Sequence, residues 1–225
     1  MKSMIKYIFI LFTLSLSFGC AGMDEYYKEH IANGPILYIG KVDSAVAFAG
    51  RDRLMIRWMR MQDPRAEKAV ISWANRTDSL VVNLGGTDRY TSVIINNLES
   101  GVYSFRIVTY DKNRNSSVPV EILGNVYGDD FEKYLKPRPH TFYSKTTKLI
   151  QFKKVTGIPS FVETEISYTK TGMTTPTIVK LSGQETDIIL TDCDVTKVIS
   201  YRGVHLPEPG CIDKFYSKIL TIEPI

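Results

Sequence analysis

Val102-Tyr103-Ser104-Phe105-Arg106-Ile107-Val108 and Val198-Ile199-Ser200-Tyr201-Arg202-Gly203-Val204 read as one strand written twice. Around them, Thr91-Ser92-Val93-Ile94-Ile95 lines up with Thr186-Asp187-Ile188-Ile189-Leu190, and Ile71-Ser72-Trp73 with Ile166-Ser167-Tyr168. Leu54-Met55-Ile56 has a looser counterpart in Leu149-Ile150-Gln151-Phe152. One match between β-rich segments would mean little. Four in the same order, at one offset of about 95 residues, mark an internal repeat with its boundary near Gly124 to Gly128.

Outward from these segments the pattern stays that of strands. Leu54, Ile56 and Trp58 alternate with Met55, Arg57 and Met59, and Val70–Trp73, Leu80–Leu84, Tyr90–Ile95 and Val102–Tyr110 are further candidates. Gly85-Gly86, Glu99-Ser100-Gly101 and Lys112-Asn113-Arg114-Asn115 punctuate them as turns. Strands at this spacing, without intervening helices, predict a sandwich, and the repeat length is close to one immunoglobulin-like domain. The expected fold is all-β: two tandem immunoglobulin-like β-sandwiches over residues 36–126 and 127–225.

The start of the chain is different in kind. Lys2 and Lys6 precede an apolar run from Tyr7 to Leu16, too short to span a bilayer but the length of a signal-peptide core. Ser17-Phe18-Gly19 and then Cys20 follow. A plain secretory leader needs no cysteine there. A small residue directly before a cysteine resembles the bacterial lipobox, although Ser17 stands where that motif usually has Leu and Leu16 lies one place further back. The resemblance implies removal of residues 1–19, acylation of Cys20 with fatty acid such as palmitate, and a lipidated tether over 20–35. Two or more buried chains anchor stably where one does not. The early Asp24-Glu25 pair is similar to a weak surface-export signal, which implies an outward-facing outer-membrane site, with the periplasmic face as the alternative.

The 225 residues carry a formal charge of +4, and loss of Lys2 and Lys6 leaves about +2. With no basic run and no aromatic residues interleaved with one, nucleic acid is not an expected partner. Of the remaining cysteines, Cys193 and Cys211 flank an expected strand, Lys197–Leu206, about 33 Å long, whereas bridged Cα atoms lie about 6 Å apart. A disulfide there requires the chain to double back.

Two resemblances add to this reading. Trp58 on an early strand is similar to the core tryptophan of fibronectin type III domains. Leu98-Glu99-Ser100-Gly101-Val102-Tyr103 with Phe105 resembles the turn into that family's tyrosine-corner strand, one residue shorter and with Ser100 for Pro. The second copy has no matching tryptophan, and Asp192-Cys193-Asp194 replaces the glycine turn. The whole chain also resembles an uncharacterised family of gut-bacterial surface lipoproteins with tandem fibronectin-type-III-like domains. Cys20, Met23-Asp24-Glu25-Tyr26-Tyr27-Lys28, Gly40-Lys41-Val42-Asp43-Ser44, Leu206-Pro207-Glu208-Pro209 and Ile212-Asp213 with Phe215-Tyr216 carry that likeness. It implies an association with glycan uptake. Some relatives carry a further C-terminal sugar-binding module, which is not expected after Ile225.

Catalytic groups are not apparent. His30, His140 and His205 have no second His or Cys at metal-ligand spacing, and there is no nucleophile elbow, phosphate loop or dinucleotide fingerprint. Neither an enzyme nor a cofactor is expected, and no metal: Asp192-Cys193-Asp194 lacks the ligand count for calcium. Glu163 and Glu165 are expected on a solvated strand face. Binding through faces and loops remains open. Trp58 and Trp73 both fall on alternating strands, where core packing is the ordinary outcome, though Trp73 is retained as a ligand candidate. Tyr134, Phe142 and Tyr143, around Lys136-Pro137-Arg138-Pro139-His140, are the better exposed candidates. They either bind a ligand where the domains meet or plug that interface. Tyr26 and Tyr27 either cap the first domain or lie at the membrane interface. Asp43-Ser44-Ala45 and Asp78-Ser79-Leu80 resemble an O-glycosylation pattern of exported proteins. The expected partners are thus the membrane, through lipid, and a polysaccharide or an envelope protein complex.

Overall fold

The structure, a computed structural model, describes residues 37–223. The apolar start, Cys20, Tyr26, Tyr27 and His30 lie outside the described residues, with what was expected of them.

Strands β1 (Asp43–Ala49), β2 (Arg53–Met59) and β5 (Tyr90–Asn96) form an antiparallel sheet in the order β1-β2-β5. Strands β3 (Lys68–Trp73), β4 (Asp78–Asn83), β6 (Gly101–Tyr110) and β7 (Val120–Val126) form the sheet facing it, in the order β4-β3-β6-β7. The period of two explains the stacking: Leu54, Ile56 and Trp58 point inward from β2, and Ala69, Ile71, Phe105 and Ile107 meet them from β3 and β6, all at 1% exposure or less. Tyr103 forms the expected corner, its hydroxyl donating to the Glu99 carbonyl at 3.1 Å.

The same plan recurs. Strands β8 (His140–Ser144), β9 (Leu149–Phe152) and β12 (Asp187–Ile189) order as β12-β9-β8. Strands β10 (Phe161–Thr169), β11 (Pro176–Ser182) and β13 (Ile199–His205) order as β11-β10-β13. The last strand is split: β14 (Phe215–Tyr216) and β15 (Leu220–Ile222) take successive stretches of the free edge of β13. Ile150, Phe152, Ile166, Tyr168, Leu181, Ile199 and Tyr201 fill this second core. All four repeated segments therefore sit on topologically equivalent strands, in two fibronectin-type-III-like sandwiches.

Their registers differ from a constant offset. Asp52 and Lys148 both adopt left-handed backbone, and their carbonyls accept the N–H groups of Leu98 and Leu190. That equivalence pairs Leu54 with Ile150 and Ile56 with Phe152, one residue beyond the Leu149 match. A slip of one would turn every β9 side chain to the wrong face. It also pairs Leu98, not Ile95, with Leu190, because the loops between strands differ in length.

Between the sandwiches lies a short helix, α1 (Asp129–Lys133), which the strand pattern did not reveal. Asp129, Asp130 and Glu132 in its first turn favour its N-terminus electrostatically.

Candidate functional site

The residues that the sequence grouped differ in exposure. Tyr134 follows α1 and is 84% exposed, and Phe142 on β8 is 48% exposed. Tyr143, next to Phe142, is half-buried against the second core, as is Trp73 against the first, its ring 6.0 Å from Phe105. Trp58 is fully buried, with its indole N–H unpartnered among the described residues. Ser44 and Ser79 are both exposed.

Other rings close the junction of the sandwiches. Phe215 is fully buried and stands edge-on to Phe131 at 5.2 Å and to Tyr127 at 6.1 Å, with the Arg51 guanidinium 4.7 Å above it. Arg51 also pairs with Glu132 on α1 and, at 3.3 Å, with Asp129. Asp213 accepts a two-point bond from Arg53, at 2.9 and 2.6 Å, and the Arg51 backbone N–H at 2.9 Å. The Arg53 bonds hold the Asp213 carboxyl below the usual carboxylate range. Burial works against Glu132, but the bonds from Arg51 and the Tyr216 N–H outweigh it and lower its pKa as well. A Cβ on Gly50 would stand 2.7 Å from the Asp213 carboxylate and 2.9 Å from the Arg53 carbonyl, so the close approach needs glycine. These groups fix one sandwich against the other. The contacts join residues more than 75 positions apart, so no local pattern announced them. Ile212-Asp213 and Phe215-Tyr216, singled out by family likeness, are the one trace they left in the sequence.

The outer face of β1-β2-β5 is the most unusual surface. Val46 and Phe48 on β1, Met55, Arg57 and Met59 on β2, and Tyr90 and Ile94 on β5 occupy the outward phase of their strands. Val46, Tyr90 and Ile94 are each between 42% and 48% exposed. The Arg57 guanidinium lies between two rings, 4.5 Å from Phe48 and 5.2 Å from Tyr90, and has no ion pair among the described residues. An outward sheet face is ordinarily polar. This one carries aromatic rings, methionines and an arginine, the side chains enriched where proteins meet. The signal was legible as Met55 and Met59 in the polar phase of the β2 alternation.

Glu163 and Glu165 do share one face of β10, but not a solvated one. Lys180 and Lys214 hold Glu163 at 2.9 and 3.0 Å, and Arg202 holds Glu165 while stacking 3.6 Å over the Tyr216 ring. With side-chain exposures of 18% and 12%, the two carboxylates are fixed in cross-strand pairs. Asp192 is engaged in the same way, accepting from Tyr168 and Lys170, while burial and the bond to Asp192 push the Tyr168 phenol up to about 12. Among the described residues, no group of three or more His, Cys, Asp or Glu is placed to hold a metal ion. Cys193 and Cys211 are both free thiols. Burial raises the pKa of each, which keeps them protonated and unreactive.

A family model, DUF4998, described as a domain of unknown function, matches residues 20–215. No curated protein matches the chain. Among solved structures, the FN1–FN3 domains of chicken CNTN1 align over 82% of this chain and 67% of that one, at 12% identity and a TM-score of 0.47. A two-domain fibronectin type III segment of chicken tenascin aligns over 81% of this chain and 98% of that one, at 14% identity and a TM-score of 0.34. The sandwich fold itself stands on strand order and register.

Proposed function

The chain belongs to the DUF4998 family, and from that premise we propose that it is a non-catalytic surface lipoprotein, anchored through Cys20 to the outer membrane, that docks a protein of a glycan-uptake assembly. One observation carries the docking role: the outward face built from Phe48, Met55, Arg57, Met59, Tyr90 and Ile94. Its chemistry specifies the partner. Arg57 is held between two rings and has no ion pair among the described residues, so it is already ordered to receive a carboxylate. The apolar side chains around it exclude water from that pair. The fitting partner is an envelope protein that presents an acidic side chain within an apolar patch. The fixed junction supports this role, since it presents the face at a constant angle to the second sandwich.

Capture from detergent-solubilised envelopes, using the unlipidated chain from residue 21 onward, tests the reading. A specific envelope protein is expected on the wild-type chain, lost with Arg57→Glu and indifferent to added polysaccharide. Retention that survives Arg57→Glu sinks it. Labelling with radioactive palmitate, in wild type and Cys20→Ala, tests the anchor.

Direct glycan binding is the second reading. What favours it is the open exposure of Tyr134 and Phe142, since a ring can recognise a sugar only with a free surface. Retardation in polysaccharide gels, abolished by Tyr134→Ala, is its expected signature.

A further inference from the structure

At one pole the two sandwiches part company. Two residues past the matched pair Ile56 and Phe152, the first copy has the fully buried Trp58 and the second has the exposed Lys154, beyond the end of β9. The second pole is open: a cavity of about 650 Å³ lies between the segment entering β8, the loop after β9 and the edge of β15. That volume falls in the range of small-molecule sites. The lining sorts into two kinds. Lys136, Arg138, Lys153 and Lys154 supply four cations, and no carboxylate lines it among the described residues. None of the three lysines has an ion pair among the described residues, and Arg138, 3% exposed, donates only to the Lys153, Ser182 and Glu185 carbonyls and the Thr164 hydroxyl. Between the cations the surface is apolar, from Pro139, Val155, Ile158, Phe161 and Leu220. Ile158 and Leu220 are exposed, so apolar surface is available to a ligand.

Thr156 is the one hydroxyl on the lining, too few side-chain acceptors for a sugar, and three lysines without an ion pair among the described residues suit no neutral lipid. We propose that this cavity binds an amphiphilic anion: an acyl chain or comparable apolar group ending in a carboxylate or phosphate. The chain seats against Val155, Ile158 and Phe161, and the anionic end meets Lys154 and its neighbours. Two sources share this chemistry, a free fatty acid and an anionic membrane lipid.

Calorimetric titration of the unlipidated chain from residue 21, which contains the whole compact unit of residues 39–225, tests this with dodecanoate and dodecanol. Dodecanoate is expected to bind one to one and at least about tenfold more tightly than dodecanol, the margin of a charge-assisted bond. Lys154→Glu, at an exposed position, is expected to leave the melting temperature unchanged and to weaken dodecanoate at least about tenfold. Flotation with phosphatidylglycerol and phosphatidylcholine vesicles separates the sources. Binding to the anionic vesicles that Lys154→Glu abolishes assigns the membrane lipid, and dodecanoate binding without flotation assigns the free acid. Equal affinity for dodecanol, or dodecanoate binding indifferent to Lys154→Glu, overturns the proposal. Arg57→Glu is expected to leave dodecanoate binding intact, which keeps this outcome separate from the docking role.

Discussion

Two residues past Ile56 the first sandwich has Trp58, wholly buried, whereas two residues past Phe152 the second has Lys154, on the wall of an open cavity. The segments entering the two sandwiches differ in step. Before β1 it buries Val42, an apolar residue, and before β8 it buries Arg138, whose guanidinium lies 5.3 Å over the Phe152 ring. One copy closes its pole with hydrocarbon, and the other pins it with hydrogen bonds from a cation to three carbonyls. Packing tolerates either solution: the first leaves the Trp58 indole N–H unpartnered among the described residues, and only the second leaves room and charge for a ligand. The sandwich architecture is therefore common to both copies, while the chemistry that distinguishes them sits at a single strand end.

The largest expected effect tests the closed pole. Trp58→Ala is expected to cost about 3–5 kcal/mol in urea unfolding, while Lys154→Ala leaves the midpoint at the wild-type value. Trp58→Phe, which also removes the unpartnered indole N–H, is expected to cost far less than the alanine change. Equal losses at positions 58 and 154 would erase the contrast between the copies.

Arg138→Met comes next. It keeps the bulk but removes the side-chain donor of the Lys153 and Glu185 carbonyls and leaves the Ser182 carbonyl with the Glu185 N–H, and a loss of about 2–3 kcal/mol is expected in the same measurement. A neutral outcome would mean that the pin is dispensable.

A third test uses pH. His205 in the second sandwich is 1% exposed, with Nδ1 3.1 Å from the Ser160 hydroxyl and Nε2 unpartnered among the described residues. Burial lowers its pKa, so the unfolded chain takes up a proton first, near pH 6.5. Between that pH and the lower folded value the unfolded state holds more protons. Stability from this group is whole above pH 6.5 and declines as the pH falls toward the folded value. His205→Phe is expected to flatten the urea midpoint between about pH 7 and pH 5.5. The junction carboxylates Asp213 and Glu132, with lowered values, add their loss only below the ordinary carboxylate range. A decline that persists in His205→Phe would place the sensitive group elsewhere.

The smallest expected effect lies at the docking face. Arg57→Glu is expected to leave the melting temperature within about 2 °C of wild type while abolishing partner capture, because Arg57 stacks on rings at the surface and makes no ion pair among the described residues.

Much of the fold was legible because alternation in β2, β3, β5 and β6 reports which face each side chain takes, and because the repeat preserved the order of those strands. The registers were not. Short strands such as β12 and loops of unequal length leave several alignments equally good on paper, and only the bonds from Leu98 and Leu190 to Asp52 and Lys148 choose among them. Of the candidate ligand residues, Tyr134 and Phe142 are as exposed as the Lys136–His140 segment suggested, yet the interface they flanked is built from Tyr127, Phe131 and Phe215. The Lys136-Pro137-Arg138-Pro139 stretch mattered for a different reason. It holds Arg138, whose burial depends on carbonyls 15 to 47 residues away.

By itself the sequence determined two β-sandwiches, their shared order, the inward set that includes Trp58, and the methionines at outward positions of β2. All of these follow from the two-residue period of a strand, a local property. Only the tertiary structure decided that Asp213 meets Arg53, that Phe215 seals the junction and that Lys154 borders a cavity. Those outcomes depend on which distant backbone carbonyls and rings come within bonding reach, and no local pattern encodes that.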